Sequence, residues 1–65
     1  MLWERAIEIL RAGKVRTVTQ THRLDVDFQL NDGTRIQTKE PYINAILDEI
    51  KKCGRKCKDI LVETE

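Results

Sequence analysis

Aromatic residues are nearly missing from this chain, with one Trp, one Tyr and one Phe in 65 residues. A core built from it must be aliphatic, and no series of rings exists for unpaired bases to stack on. Cysteine is also scarce. Cys53 and Cys57 are too few for a disulfide scaffold, and with His22 as the single histidine a monomer offers at most three Cys/His ligands. That falls one short of a structural zinc site. The three glycines, Gly13, Gly33 and Gly54, each fall where a turn or helix end is expected, so no glycine-rich phosphate loop is available. His22 has no serine or third cysteine near it and supports no catalytic triad. No apolar run approaches the roughly 20 residues of a membrane span. The opening Met1-Leu2-Trp3-Glu4-Arg5 has neither the basic nor the apolar region of a signal peptide, which makes the cytoplasm the expected location. An excess of one charge is absent too: 12 Lys and Arg face 11 Asp and Glu, for a net +1. The whole-molecule charge therefore makes no case for nucleic acid or membrane.

What is present is the composition of a small soluble globule, 40% apolar and 35% charged. At this length the chain is one domain, 1–65, with a small core and marginal stability. Its most legible stretch runs from Leu24 to Gly54. Leu24, Val26, Phe28 and Leu30 alternate with Asp25, Asp27 and Gln29, the period of a strand with one buried face. After Asn31-Asp32-Gly33 the alternation resumes through Thr34, Ile36 and Thr38. Two registers compete for this hairpin. A two-residue Asp32-Gly33 turn sets Phe28 against Gln37, whereas a three-residue loop with Gly33 left-handed sets Phe28 against Ile36. The second keeps each face uniform and is the expected one. It pairs Gln29 with Arg35, Asp27 with Gln37, and Asp25 with Lys39.

A helix is expected to follow. Pro41 suits a first helical position, where its missing N–H is no loss. Tyr42, Ile43, Ile46, Leu47 and Ile50 then recur at helical spacing as one apolar stripe. Lys51 and Lys52 complement the negative end of the dipole, and Gly54 supplies a left-handed stop. Leu2 to Ala12 reads as an earlier helix, with Leu2, Trp3, Ala6, Ile7 and Leu10 on one face, Ile9 off it, and Gly13 as the stop. Lys14 to His22 is rich in Thr and Val and reads as a strand. Its facing stays open, because Val15 and Val18 share a side only across a bulge. Arg55 to Lys58 is a short basic connector. Ile60-Leu61-Val62 makes a last strand, and Glu63-Thr64-Glu65 runs into solvent.

The order is thus α-β-β-β-α-β, with a single apolar stripe on each helix and one apolar face on the hairpin. The economical packing is a two-layer α+β fold: a four-stranded, mostly antiparallel sheet with both helices on one face. The last strand, reached by a crossover through a helix, is expected to run parallel to its neighbour. Uncovered edge strands leave room for a homodimer through a sheet edge.

Three features bear on chemistry. The first is the polar face of the hairpin, where Asp25, Asp27, Gln37 and Lys39 cluster within two rungs. Alternating charge is the default on a half-exposed strand, and such pairs stabilise pairing by about 0.2–1 kcal/mol. Carboxylates beside a lysine also suit a divalent metal and a phosphodiester. On these residues and on the element order, the chain resembles the core of the PD-(D/E)xK nucleases, which include archaeal Holliday-junction resolvases. The resemblance implies Asp25 as the strand aspartate, Lys39 as the lysine, and Glu4 or Glu8 as the helical glutamate. Gln37 stands where that family has a glutamate, so one metal ligand would be missing or weakened.

The second feature is charge clustering. Lys51, Lys52, Arg55, Lys56 and Lys58 bring five cations with no acid among positions 51 to 58. Arg11, Lys14, Arg16 and Arg23, with His22, form another basic stretch. Lying on one edge, the two stretches would make a phosphate-binding patch. The third is the cysteine pair. Cys53 lies at a helix C-terminus, where the dipole disfavours a thiolate. The expectation is two half-buried small residues around a helix stop, oxidised only in vitro.

The sequence therefore points first to a small non-enzymatic binding or accessory protein of prokaryotic or viral type, without cofactor or metal. It would act through a sheet edge or its basic surface, toward protein or nucleic acid. A minimal or degenerate metal-dependent nuclease is the alternative.

Overall fold

The computed structural model describes all 65 residues, Met1–Glu65. Seven elements follow in order: α1 (Trp3–Arg11), β1 (Val15–Gln20), β2 (Asp25–Leu30), β3 (Arg35–Lys39), α2 (Ala45–Cys53), a single 3-10 turn (Gly54–Cys57) and β4 (Leu61–Thr64). The strands form one sheet in the order β3-β2-β1-β4, in which β1/β2 and β2/β3 are antiparallel and β1/β4 parallel. This is the expected α+β architecture. α2 carries the chain from the β3 edge to the β4 edge.

Both helices cover one face of the sheet. Ala6, Ile7 and Leu10 of α1 and Ile46 of α2 meet Val15, Val18, Val26 and Phe28 in one buried cluster that also takes in Cys57. Leu2, expected on this face, is 79% exposed, because α1 begins only at Trp3 and leaves Leu2 outside the stripe. Ile9 lies at the margin, partly buried against the core.

The hairpin has the three-residue register. Phe28 faces Ile36, Asp27 faces Gln37 and Asp25 faces Lys39. Gly33, at φ 90°, donates to the Leu30 carbonyl at 3.0 Å, while the Leu30 amide donates to Thr34 at 2.7 Å. The backbone N–H of Thr34 reaches Asp32 Oδ1 at 2.9 Å. That hydrogen bond, with a further one from the Thr34 side chain, holds the Asp32 carboxyl below its ordinary 3.8.

The facing of β1 is decided by a bulge. Val15 pairs with Leu30 and Thr17 with Gln29, so Arg16 is the extra residue and turns outward. Val15 and Val18 thereby fall on the same buried side.

The start of α2 differs from expectation. Pro41 is not its first residue; the helix begins at Ala45, and Tyr42 and Ile43 are exposed. The reason is a set of tertiary polar contacts. Asn44 adopts a left-handed conformation, φ 70°, and its amide donates to Gln20 Oε1 at 3.2 Å. Gln20 Nε2 donates in turn to Asn44 Oδ1 at 2.9 Å. Glu40, only 2% exposed, accepts from the Ile46 amide at 3.1 Å, so its carboxylate serves as the helix's N-terminal acceptor from a position five residues before Ala45. Tyr42 instead donates from its hydroxyl to Asp48 at 3.1 Å, and the neighbouring carboxylate holds its pKa above 10.0.

Two further differences concern the last fifteen residues. Arg55 to Cys57 belong to a 3-10 turn and not to an irregular connector. Glu63 and Thr64 lie within β4, paired with Thr19 and Gln20, although all four residues of the strand are exposed.

Candidate functional site: a basic end and an open sheet face

The two basic stretches meet at the end of the molecule where α1 stops, β1 starts and α2 runs out. α1 stops at Arg11, and two residues on Gly13 turns the chain at a φ of 75°, which no L residue adopts easily. Lys56 lies across it: a Cβ at Gly13 would sit 3.4 Å from Lys56 Cβ and 3.6 Å from its Cγ and Cδ. The apolar stem of Lys56 is thus packed, as lysine stems commonly are, with its ammonium directed to solvent. Gly13, Arg16, Asn31, Lys56 and Asp59, with Val15 and Ile60 at the floor, line an open cleft of about 430 Å³. Asn31 secures the cleft's rim: its amide N–H donates to the Lys14 carbonyl at 2.9 Å, and its Nδ2 to the Gly13 carbonyl at 3.4 Å.

Charge at this end is lopsided. The segments 11–16, 31–33 and 49–59 hold eight cations, Arg11, Lys14, Arg16, Lys51, Lys52, Arg55, Lys56 and Lys58, against Asp32, Glu49 and Asp59. Glu49 takes two of the cations, Arg11 at 3.1 Å and Lys52 at 3.7 Å. None of the other six has a carboxylate oxygen within 4.0 Å. Arg23 and His22 lie elsewhere, at the β1–β2 turn on the opposite end of the sheet.

Cys53 and Cys57 are bonded to each other, with Cα atoms 5.7 Å apart, which corrects the expectation of a reduced pair. The 3-10 turn that begins at Gly54 brings Cys57 back under the end of α2 and into the core. Both sulfurs lie against the Leu10 carbonyl oxygen, at 3.8 and 3.5 Å. The bridge encloses Arg55 and Lys56 and so fixes the base of the turn that presents them.

The open face of the sheet brings together the other four residues singled out from the sequence. Asp25, Asp27 and Gln37 line a shallow depression with Thr21 and Thr38, and Lys39 Nζ stands 3.5 Å from Asp25 Oδ1. Glu4 and Glu8 do not join them. Both lie in a groove between α1 and α2, with Trp3, Ile7, Arg11 and Glu49, on the other side of the sheet. The open face thus supplies two carboxylates, and no third His, Cys, Asp or Glu stands near enough to complete a metal-binding group. A divalent cation there would depend on two aspartates and a neutral amide, a poor set for an ion that favours six oxygen ligands.

One element of the basic end is invisible in sequence: the dependence of Lys56 on Gly13, two residues separated along the chain by three strands and α2. Only the positive-φ signal of a glycine at a helix end hinted at a close approach. No protein-family model matches the chain. No curated protein is significantly similar to it.

Proposed function

We propose that this is a small non-enzymatic accessory protein that holds the phosphate backbone of nucleic acid at its basic end and acts as a homodimer joined through a sheet edge. Support comes from the packing of Lys56 across Gly13. This one contact brings the cations of 51–58 beside Lys14 and Arg16, with six of eight left unpaired. Unpaired, exposed cations around an open cleft suit phosphates, whose condensed counterions are released on binding. A protein partner is less well matched, since stable protein interfaces centre on buried aromatic or aliphatic anchors. The exposed large apolar residues, Met1, Leu2, Tyr42, Ile43, Leu61 and Val62, all lie outside this cleft. Stacking aromatics are absent from it as well, which favours duplex backbone over unpaired bases.

The test is fluorescence anisotropy of a labelled DNA duplex across a salt series. Six neutralised phosphates set an upper bound of about −5 on the slope of log affinity against log salt. The double reversal Arg16→Glu with Lys56→Glu is expected to lower affinity by about tenfold or more and to flatten that slope by about 2. An absence of binding at low salt, or indifference to the double reversal, would overturn the reading. Asp25→Asn and Lys39→Ala are expected to change nothing. Manganese-dependent cleavage lost in Asp25→Asn would instead move the function to the open face and revive the nuclease alternative.

A further inference from the structure

The two edges of the sheet are built differently. β3 carries Arg35 and Lys39 at its ends and is followed by Pro41, the devices that keep an edge from pairing. β4 carries no cation, no proline and no bulge, and exposes Leu61 at 64% and Val62 at 40%. From these differences we infer that β4 is the edge through which two copies of this chain join, as an antiparallel pair centred on Val62. The inference rests on the reading of the protein as a homodimer and supplies the edge, the register and the symmetry.

The register follows from hydrogen-bond parity. Glu65 donates its amide to the Gln20 carbonyl of β1 at 2.9 Å. Alternation along the strand then directs the backbone groups of Glu63 and Leu61 toward β1 and those of Val62 and Thr64 outward, while Ile60, just before the strand, already donates its amide to the Cys57 carbonyl at 3.3 Å. A twofold axis through Val62, perpendicular to the sheet, places Val62 opposite its own copy and Ile60 opposite Thr64 of the second copy. Val62 then exchanges both backbone bonds with its copy, Thr64 meets the carbonyl of Ile60 alone, and the result is one eight-stranded sheet with four helices on the same side. Shifting the register by two residues is worse in either direction. One shift sets Glu63 against its own copy, and the other sets Glu63 against Asp59, so each puts a like-charge pair on a residue of the strand, whereas in the register centred on Val62 the one like-charge pair, Glu65 with Asp59, lies beyond both ends of β4.

Charge supports the same arrangement. β4 is approached through Lys56 and Lys58, with Arg16 beside them, and ends in Glu63 and Glu65. Antiparallel self-pairing brings the acidic end of each copy toward Arg16, Lys56 and Lys58 of the other, with Asp59 the one acid among them. On the helix side, Val62 flanks Val18 of the core, so the Val62 pair continues the buried layer across the axis.

The experiment is light scattering on size-separated protein at a range of concentrations, with anisotropy on DNA in parallel. The wild type is expected at twice its 7.6 kDa chain mass. Val62→Asp, which opposes two carboxylates at the axis, is expected at the chain mass, with its affinity for duplex per chain reduced less than threefold. As a second variant, Val62→Cys should form a covalent dimer under mild oxidation, since Cα atoms of a hydrogen-bonded antiparallel pair lie within disulfide reach. Gln37→Cys on β3 should not. A wild type at chain mass throughout would overturn both this inference and the homodimer reading. A dimer that survives Val62→Asp, or one that Gln37→Cys captures and Val62→Cys does not, would overturn the β4 assignment and leave the homodimer standing.

Discussion

At the scale of single residues, the most consequential side chain is Gln20. It is 1% exposed on the core face of β1, a place where the strand pattern would ordinarily put a valine or leucine. Its amide bonds the backbone N–H and the Oδ1 of Asn44 and also reaches Thr64 Oγ1 at 3.4 Å, joining the start of α2 to the end of β4. Buried polar groups are seldom left without a partner, and removing one partner strands the others. Gln20→Ala is therefore expected to lower unfolding free energy by about 1–3 kcal/mol, read from the urea midpoint. For a domain of this size that is a drop of several degrees in Tm, about 4–8 °C for each kcal/mol. A loss below about 0.5 kcal/mol, the range of ordinary surface changes, would mean that Asn44 holds its left-handed conformation without Gln20.

Among the elements, the last turn of α2 shows how local chemistry and function share a few residues. Gly54 breaks the helix at φ 71°, the 3-10 turn swings Cys57 into the core, and the disulfide closes a ring of only five residues. Chain-entropy arguments give so short a loop about 2 kcal/mol of stabilisation, much less than a long one would receive. Reduction, or Cys53→Ala with Cys57→Ala, is thus expected to lower stability by up to about 2 kcal/mol without unfolding the chain, as measured by urea titration with and without reductant. Global unfolding on reduction would instead show that the bridge holds α2 against α1. The bulge in β1 is the comparable device on the other side of the cleft. It turns Arg16 out toward Lys56 while keeping Val15 and Val18 in the core.

Across the whole molecule, a formal charge of +1 conceals a strong asymmetry. Cations crowd the end where α1 and α2 finish, while Glu40, Glu63 and Glu65 lie toward the other end of the sheet. Glu49 is the main restraint on the basic end, since its carboxylate, 16% exposed, engages Arg11 and Lys52 together. Releasing those two cations should strengthen phosphate binding. Glu49→Gln is expected to tighten binding to duplex DNA at low salt and to steepen the salt slope by up to about 2 units. Weaker binding in this variant would indicate that Glu49 positions Arg11 and Lys52 for contact and does not neutralise them.

Period and turn chemistry alone determined the element order, the three-residue hairpin register, the parallel last strand and the two-layer packing. Each depends on neighbours in sequence: alternating side chains, a glycine able to take positive φ, a stripe repeating every three or four residues. Tertiary structure decided what depends on distant partners. Tyr42 and Ile43 fit the helical stripe, yet Gln20 and Glu40 capture the backbone just beyond them and delay α2 to Ala45. The side of β1 that faces the core was undecidable until β2 supplied the register that creates the bulge. The basic stretches were legible as charge, but their union required Lys56 to lie over Gly13, some forty residues away along the chain. The same holds for the sheet edges. Which strand is left unguarded is a property of strand order, and strand order is set by the crossover of α2 and not by any local signal.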